Sequence, residues 1–331
     1  MLTLKALLSI PAVLSTAILA HALATPEFIR IDPNDVNSTI TVSLTGGERC
    51  KKKELRAIHD GFVEMTQLFQ AATKLDWNGP AERDFFGTRE RLGNYTALVE
   101  GNLRRASQYP FLDANTTQIH VRCDDPLEKC RECSRKDGNH VAYNIGNEAH
   151  INFCDSFSDM PMLNIAVDTK SSLDMLAYYN RATIWARQLM HISNVGVGIV
   201  EKAVADSQSG PHTPWRTYTY TGPLNTSALA GVADDHPDTK GPNNIRALKY
   251  AYGVNRAKLL AVLSTQMPYD ALNNPENYAL YAQARYVMNK KGFYPNLPVM
   301  QFDDEMAVLA NEQLQDGPRP RFGCFIKPDV A

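Results

Sequence analysis

The chain has 331 residues, 44% of them hydrophobic and 21% charged, with 34 Lys and Arg against 36 Asp and Glu and a formal net charge of −2. That apolar share is enough for a substantial core, and the length fits one large domain or two small ones. The near balance of charge, with no long run of one sign, excludes the basic surface that nucleic-acid binding requires.

Lys5 precedes the apolar run ALLSIPAVLSTAILA and the small-x-small end Ala22-Leu23-Ala24, a pattern that reads as a secretory signal peptide over residues 1 to 24. Without Lys5 the balance becomes 33 basic against 36 acidic residues. No later stretch approaches the roughly 20 consecutive apolar residues of a membrane-spanning helix, so a secreted, extracellular and monomeric product is expected. Residues 25 to 49 are polar, partly β-branched and without helical period, and predict an extended N-terminal arm. Four acceptor sequons, at Asn37, Asn94, Asn115 and Asn225, agree with export and mark the expected glycosylation sites. All six cysteines, Cys50, Cys123, Cys130, Cys133, Cys154 and Cys324, follow the leader, and an even number in an exported chain predicts three disulfides. Cys130-Arg-Glu-Cys133 alone could be a redox or zinc pair, but a four-cysteine zinc ribbon would need two more ligands.

After Cys50, the residues Leu55, Ile58, Phe62, Met65, Phe69 and Ala72 recur every three or four positions and predict an amphipathic core helix. A second helix is expected over 85 to 107, weakened by Gly87 and Gly93. From 117 to 154 the period shortens: Ile119, Val121 and Cys123 alternate with Gln118, His120 and Arg122, and Ile151 and Phe153 repeat the pattern near Cys154. Half-buried strands with a cysteine-pinned loop between them account for this. Ser171-x-x-Asp174 has the form of a capping box, and Leu173, Leu176, Ala177, Ile184 and Leu189 predict a helix from there to about Gly196-Val-Gly198. Residues 206 to 244 read as a long surface loop. Helices are expected over 245 to 264 and 275 to 291, the latter with Asn274 as cap, Pro275 in the first turn and Gly292 as its stop. The tail from 301 to 331 is Pro-rich and is expected to be tied down through Cys324.

The helix ending at 191 carries the functional question, because Thr183 to His191 reads TIWARQLMH. A zinc peptidase helix of the HExxH type places two histidines at i and i+4 on one metal, and the glutamate after the first activates a metal-bound water. Here those positions hold Arg187, Gln188 and His191. Arginine has no lone pair to give a metal, and a glutamine amide cannot take a proton from water.

The surrounding segments place this helix in a wider pattern. VAYNIGNEAHINFCDSF stands upstream, and NNIRALKYAYGVNRAKLLAVLS and then NNPENYALYAQARY stand downstream. In this order they resemble the deuterolysin family of fungal secreted zinc endopeptidases, the aspzincins, which include the peptidyl-Lys metalloendopeptidases. In that family HExxH is followed by GTxDxxYG, whose aspartate is the third zinc ligand, and then by a helix entered through Asn-x-(Asp/Glu)-Asn-Tyr. The likeness spans roughly residues 50 to 295 and implies a zincin-like α+β domain over 50 to 300, mostly helical, with a small sheet and disulfide staples. It also implies that Cys50 pairs with Cys123 and Cys130 with Cys154, which leaves Cys133 for Cys324.

Carried over residue by residue, His191 falls on the second zinc histidine, Arg187 on the first, Gln188 on the catalytic glutamate and Lys249 on the aspartate ligand, while Tyr252 is retained. Two cations at a metal site repel Zn²⁺, so no cofactor and impaired catalysis are expected, with the cleft binding an extracellular peptide or protein. A cationic cleft of Arg187 and Lys249 would suit a carboxylate; alternatively each pairs with a local acid of the chain. Two further readings stay open. Zinc could be held by a remodelled site of His191, His236 and Asp235 within the Asp234 to Asp238 loop, with one of those aspartates or Glu201 as base. The chain could also be a metal-binding or antigen-like surface protein without enzymatic activity.

Overall fold

The structure, a computed structural model, describes residues 42–113, 117–130, 141–146, 148–198, 253–263 and 269–299, with the short pieces 236–237 and 246–247. The leader, sequons Asn37, Asn115 and Asn225, Cys133, and the tail from 301 with Cys324 lie outside them. Within these limits the chain combines helices with one small mixed sheet, as the sequence predicts.

The first strand, β1 (Ser43–Glu48), belongs to the expected arm, yet it is built into the sheet. It runs parallel to β2 (Gln118–Arg122), which runs parallel to β4 (His150–Phe153); β3 (Ala142–Asn144) closes the order β1-β2-β4-β3 as an antiparallel edge. Ile119, Val121, Ile151 and Phe153 face the core, as their alternation requires. Two disulfides tie this layer together, Cys50 to Cys123 (Cα–Cα 4.9 Å) and Cys130 to Cys154 (5.4 Å). Both pairings are those the resemblance implies. In the chain-entropy picture the loop-closing term grows with the logarithm of loop length. The sequence separations are 73 and 24 residues, so Cys50→Ala/Cys123→Ala should cost ~1 kcal/mol more in urea denaturation than Cys130→Ala/Cys154→Ala.

Helix α1 (Lys52–Ala72) buries Ile58, Phe62, Met65, Phe69 and Ala72 along one stripe, whereas Leu55 remains exposed. The single helix expected over 85 to 107 is instead α2 (Pro80–Phe86), the one-turn α3 (Arg89–Leu92) and α4 (Thr96–Gln108). The breaks fall at Gly87 (φ 97°) and Gly93 (φ 51°), backbone conformations that residues with a Cβ rarely adopt. The sequence gives no warning of α5 (Leu163–Asp168).

The capping-box expectation at Ser171 is also corrected. Asp174 does cap, accepting from Leu176 N at 2.9 Å, but only a 3-10 turn over Met175–Tyr178. The helix proper, α6 (Arg181–Met190), starts at Asn180, whose side chain accepts from Ala182 N (2.8 Å) and Thr183 N (3.2 Å). It stops at His191 rather than near Gly196, and Leu173 and Leu176 stand exposed instead of joining its buried stripe. Between 236 and 247 a two-residue ribbon pairs β5 (His236–Pro237) with β6 (Arg246–Ala247), so Arg246 and Ala247 are extended where a helix is expected. Helix α7 (Val254–Leu263) and the single turn α8 (Tyr269–Leu272) follow. Helix α9 (Pro275–Lys291) has the predicted bounds and ends at a left-handed Gly292. Asn274 holds the cap position but donates to Asn277 Oδ1 (2.7 Å) instead of accepting from the helix.

Helices α1, α6 and α9 pack on one another and form the centre of the molecule. Trp185 of α6, fully buried, lies against Phe62 and Phe153 (ring centroids 5.2 and 4.7 Å) and donates to Ile58 O at 2.9 Å. Gly61 permits this approach, since a Cβ there would come within 2.8 Å of the indole. The buried guanidinium of Arg181 forks onto Glu64 of α1 (2.9 and 3.1 Å), which fixes the position of α6 on α1. Thr183 donates to Gln283 and so joins α6 to α9.

A strap over residues 293–299 returns across the helices after α9. Its Leu297 forms a parallel bridge with Asp174, through Leu297 N to Leu173 O (2.9 Å) and Met175 N to Leu297 O (3.1 Å). Lys258 of α7, fully buried, donates to Asn296 O (2.8 Å), Pro298 O (3.0 Å) and Asp84 Oδ2 (2.8 Å), and Tyr294 donates to the same carboxylate oxygen (2.7 Å).

Candidate functional site at the end of helix α6

Arg187 and Gln188 lie in the last turn of α6, and His191 is the residue that follows the helix. Arg187 is 7% exposed and Gln188 1%, so neither lines an open cationic cleft. The guanidinium instead faces Glu276, Nη1 to Oε2 at 3.6 Å, in the first turn of α9. Glu276 is itself 2% exposed. Its other oxygen, Oε1, accepts from Gly253 N at 3.2 Å.

The rest of the guanidinium is engaged locally. Nη2 reaches Ala142 O of β3 at 3.4 Å. With the Gln188 amide in the orientation that satisfies its neighbours, Oε1 accepts from Arg187 Nε (3.0 Å) and Nη2 (2.9 Å), and Nε2 donates to Asn144 Oδ1 (2.6 Å). Asn144 Nδ2 in turn donates to Gln188 O at 3.1 Å. Arg187 and Gln188 therefore form one network with the edge strand β3.

Burial pushes the Glu276 carboxyl above its ordinary range, and the nearby Arg187 charge and the Gly253 N–H offset this only in part. The carboxylate that a cationic cleft would suit is thus one of the chain's own, buried with the cation. No local pattern suggests that pairing. Glu276 stands within the Asn274 to Tyr278 cap sequence, whose pattern accounts for it as a first-turn acid. The one signal was negative: the helical neighbours of Arg187 at i±3 and i±4 are Thr183, Ile184, Met190 and His191, with no acid among them, so a buried arginine there requires a carboxylate from elsewhere.

Three segments separated in sequence meet at Glu276: the end of α6, Gly253 at the start of α7, and the first turn of α9. On the far side of His191, Asn102 of α4 takes both backbone groups of Val197, accepting from its N–H and donating to its C=O (2.9 Å each), and Arg105 donates to Val195 O at 2.8 Å. His191 is half-buried, and its N–H donates to Gln188 O at 3.1 Å. The chain thus leaves the site and returns to it from two anchored stems.

Lys249, Tyr252, Glu201, Asp234, Asp235 and Asp238 lie outside the described residues, and of His236 only the backbone pairing with Ala247 is described. Among the described residues, no three His, Cys, Asp or Glu side chains lie together in an arrangement that could hold a metal. Zinc does not fit the described part of the site on chemical grounds. An arginine offers only donors, and a cation already occupies the side of Glu276 that faces α6. No helix among the described residues is long and apolar enough to cross a membrane. No protein-family model matches the chain, and no curated protein sequence matches it.

Proposed function

We propose that the chain is a secreted relative of the deuterolysin zinc peptidases, with a zincin-like domain that has lost its metal chemistry and acts by binding a peptide or protein outside the cell. The observation that carries this reading is the Arg187–Glu276 pair. A guanidinium takes the position of the first zinc histidine and is neutralised within the protein, so the charge that a family member balances with Zn²⁺ is balanced here by the chain itself.

Binding without cleavage is also consistent with the edge of the sheet. Val141 O and Ile145 N bond to Cys154 N and His150 O (2.9 and 2.8 Å), so by strand alternation the backbone groups of Ala142 and Asn144 point away from β4. Ala142 is 1% exposed, so an extended peptide could add to this edge only from Asn144 onward, through main-chain hydrogen bonds. The Arg187 contact to Ala142 O would then limit how far along the strand such a peptide could pair.

The test is the metal content of the purified chain after dialysis against metal-free buffer, beside the triple variant Arg187→His, Gln188→Glu, Lys249→Asp. The expected result is a metal-free natural protein and a variant that takes up about one zinc per chain. Stoichiometric zinc in the natural protein would sink the proposal, and would direct attention to His191 with the Asp234 to Asp238 loop as an active site.

A further inference from the structure

The outer face of the sheet carries polar side chains that the site at α6 does not use. Strands β2 and β4 share three register pairs, His120 with His150, Val121 with Ile151 and Arg122 with Asn152. Val121 and Ile151 face the core, so the other two pairs lie on the outer face. There the two half-buried imidazoles meet edge to face, with ring centroids 4.5 Å apart. In the order β1-β2-β4-β3, strand β3 pairs with β4 alone, so within the sheet this short seam is what joins β3 and β4 to β1 and β2.

The surroundings of the two rings differ. Between Gly46 and Glu48 the register of β1 shifts, which returns Glu48 to the outer face opposite Arg122. The His120 ring lies back over Gly46, where a Cβ would come within 2.7 Å of Nε2, and that nitrogen meets both Glu48 oxygens (2.9 and 3.0 Å). His150 Nε2 instead faces a cation, Arg122 Nη1, at 3.5 Å. Asp124 is already engaged by that guanidinium, through Nε (2.5 Å) and Nη2. Arg49, next to Glu48, and Tyr143 of β3, opposite Asn152, act on Asp124 and Arg122 from farther off. Burial pushes the His150 imidazole below its ordinary value of 6.5, His120 and Arg122 push it the same way, and Glu48 and Asp124 offset this in part.

We infer that His120 and His150 form an acid-sensitive catch on the seam between β2 and β4, closed while the rings are neutral and loosened when both carry protons. Imidazoliums at directly opposed positions repel, and Arg122 adds a third charge beside them. The unfolded chain takes up the His150 proton near pH 6.5 and the folded chain at lower pH. The stability that the neutral pair contributes is therefore complete above 6.5 and is lost as pH falls from there through the folded value.

Amide exchange on the full chain, followed residue by residue by NMR and corrected for the intrinsic rate at each pH, tests the catch. His120 N donates to Ala149 O (2.8 Å), so by alternation the Arg122 N–H also points to β4 and that of Val121 to β1. Between about pH 7.5 and about pH 5, opening at Arg122 should increase about threefold, the scale of like charges placed opposite one another, while Val121 stays constant. His150→Gln and His120→Gln, both at half-buried positions, should each abolish the increase. His120→Gln should also move the His150 titration midpoint, read from its ring protons, up toward 6.5. Equal acceleration at Arg122 and Val121 would mean general acid unfolding, and no acceleration, or one that persists in either variant, would mean that the pair is not the sensor. Each of these results overturns the inference, as does a His150 midpoint that ignores the loss of His120.

Discussion

Arg187→Met is expected to lower stability by ~3–5 kcal/mol near neutral pH, the cost of leaving one partner of a buried ion pair alone, and by far less in acid. Burial already holds the Glu276 carboxyl above its ordinary value of 4.5. The folded chain therefore keeps a proton through a range in which the unfolded chain has lost it, and stability falls as pH rises through that range. Removal of Arg187 takes away the main offset, moves the folded value higher and widens the range. The penalty should thus grow from near pH 4.5 upward and be smallest below it, where Glu276 is protonated in both states. Arg187→Met/Glu276→Gln should recover most of the loss, since a neutral amide can still accept from Gly253 N. Urea denaturation of the three proteins across this pH range is the measurement. A penalty independent of pH would mean that Glu276 is not the group left unpaired.

The parts of the fold that local chemistry determines were legible before the structure. Asn274-Pro275 and Gly292 bound α9 because each answers to a backbone requirement of its own position, and the stripe of α1 repeats often enough to exclude other periods. What failed depends on distant partners. Ser171-x-x-Asp174 satisfies a capping pattern, and Asp174 does cap, but whether one turn or four follow depends on packing. Asn180, held by Tyr178 O and Thr183 Oγ1 as well as by its own cap bonds, restarts the chain as α6. Strand β1 contains Gly46 and Gly47 at φ 82° and 101° and pairs in parallel with a segment more than 70 residues away. Nothing local marks it as a strand. The staples were legible only through the resemblance, because six cysteines by themselves allow 15 connectivities.

The candidate site divides in the same way. That Arg187 and Gln188 cannot perform zinc chemistry follows from the residue types alone. That Arg187 is satisfied inside the protein does not, because its partner lies 89 positions away on another helix and only the packing of α6 on α9 joins them. The difference matters for function. An arginine open to solvent would predict an anionic ligand, whereas a buried Arg187–Glu276 pair predicts a rigid floor beneath β3 that fixes the edge strand to α6 and α9. Any ligand recognised there would be read by strand backbone and neighbouring side chains, with the buried Arg187–Glu276 pair serving as scaffold.

The second buried cation gives the opposite pH response. Lys258 is fully buried, and burial lowers its tendency to hold a proton while Asp84 raises it. Asp84→Ala removes that support and the acceptor of Tyr294, and is expected to cost ~3–5 kcal/mol at neutral pH. Without Asp84 the folded value of Lys258 drops further below its ordinary 10.5. Between the two values the unfolded chain holds more protons than the folded one, so stability rises with pH there and the penalty should shrink as the solution becomes alkaline. Lys258→Met in the Asp84→Ala background should remove this slope. Because Lys258 also holds Asn296 O and Pro298 O, its neutralisation should loosen the strap and expose residues 293–299 to limited proteolysis before the helices unfold. The two single variants, Arg187→Met and Asp84→Ala, thus differ in the sign of their pH dependence. Because one removes a positive and the other a negative charge, a general effect of net charge would also give opposite slopes, but Arg56→Met and Asp155→Ala, at side chains 86% and 84% exposed, would then reproduce them. Slopes absent from those controls require that each substitution unmask the particular buried partner the structure assigns to it.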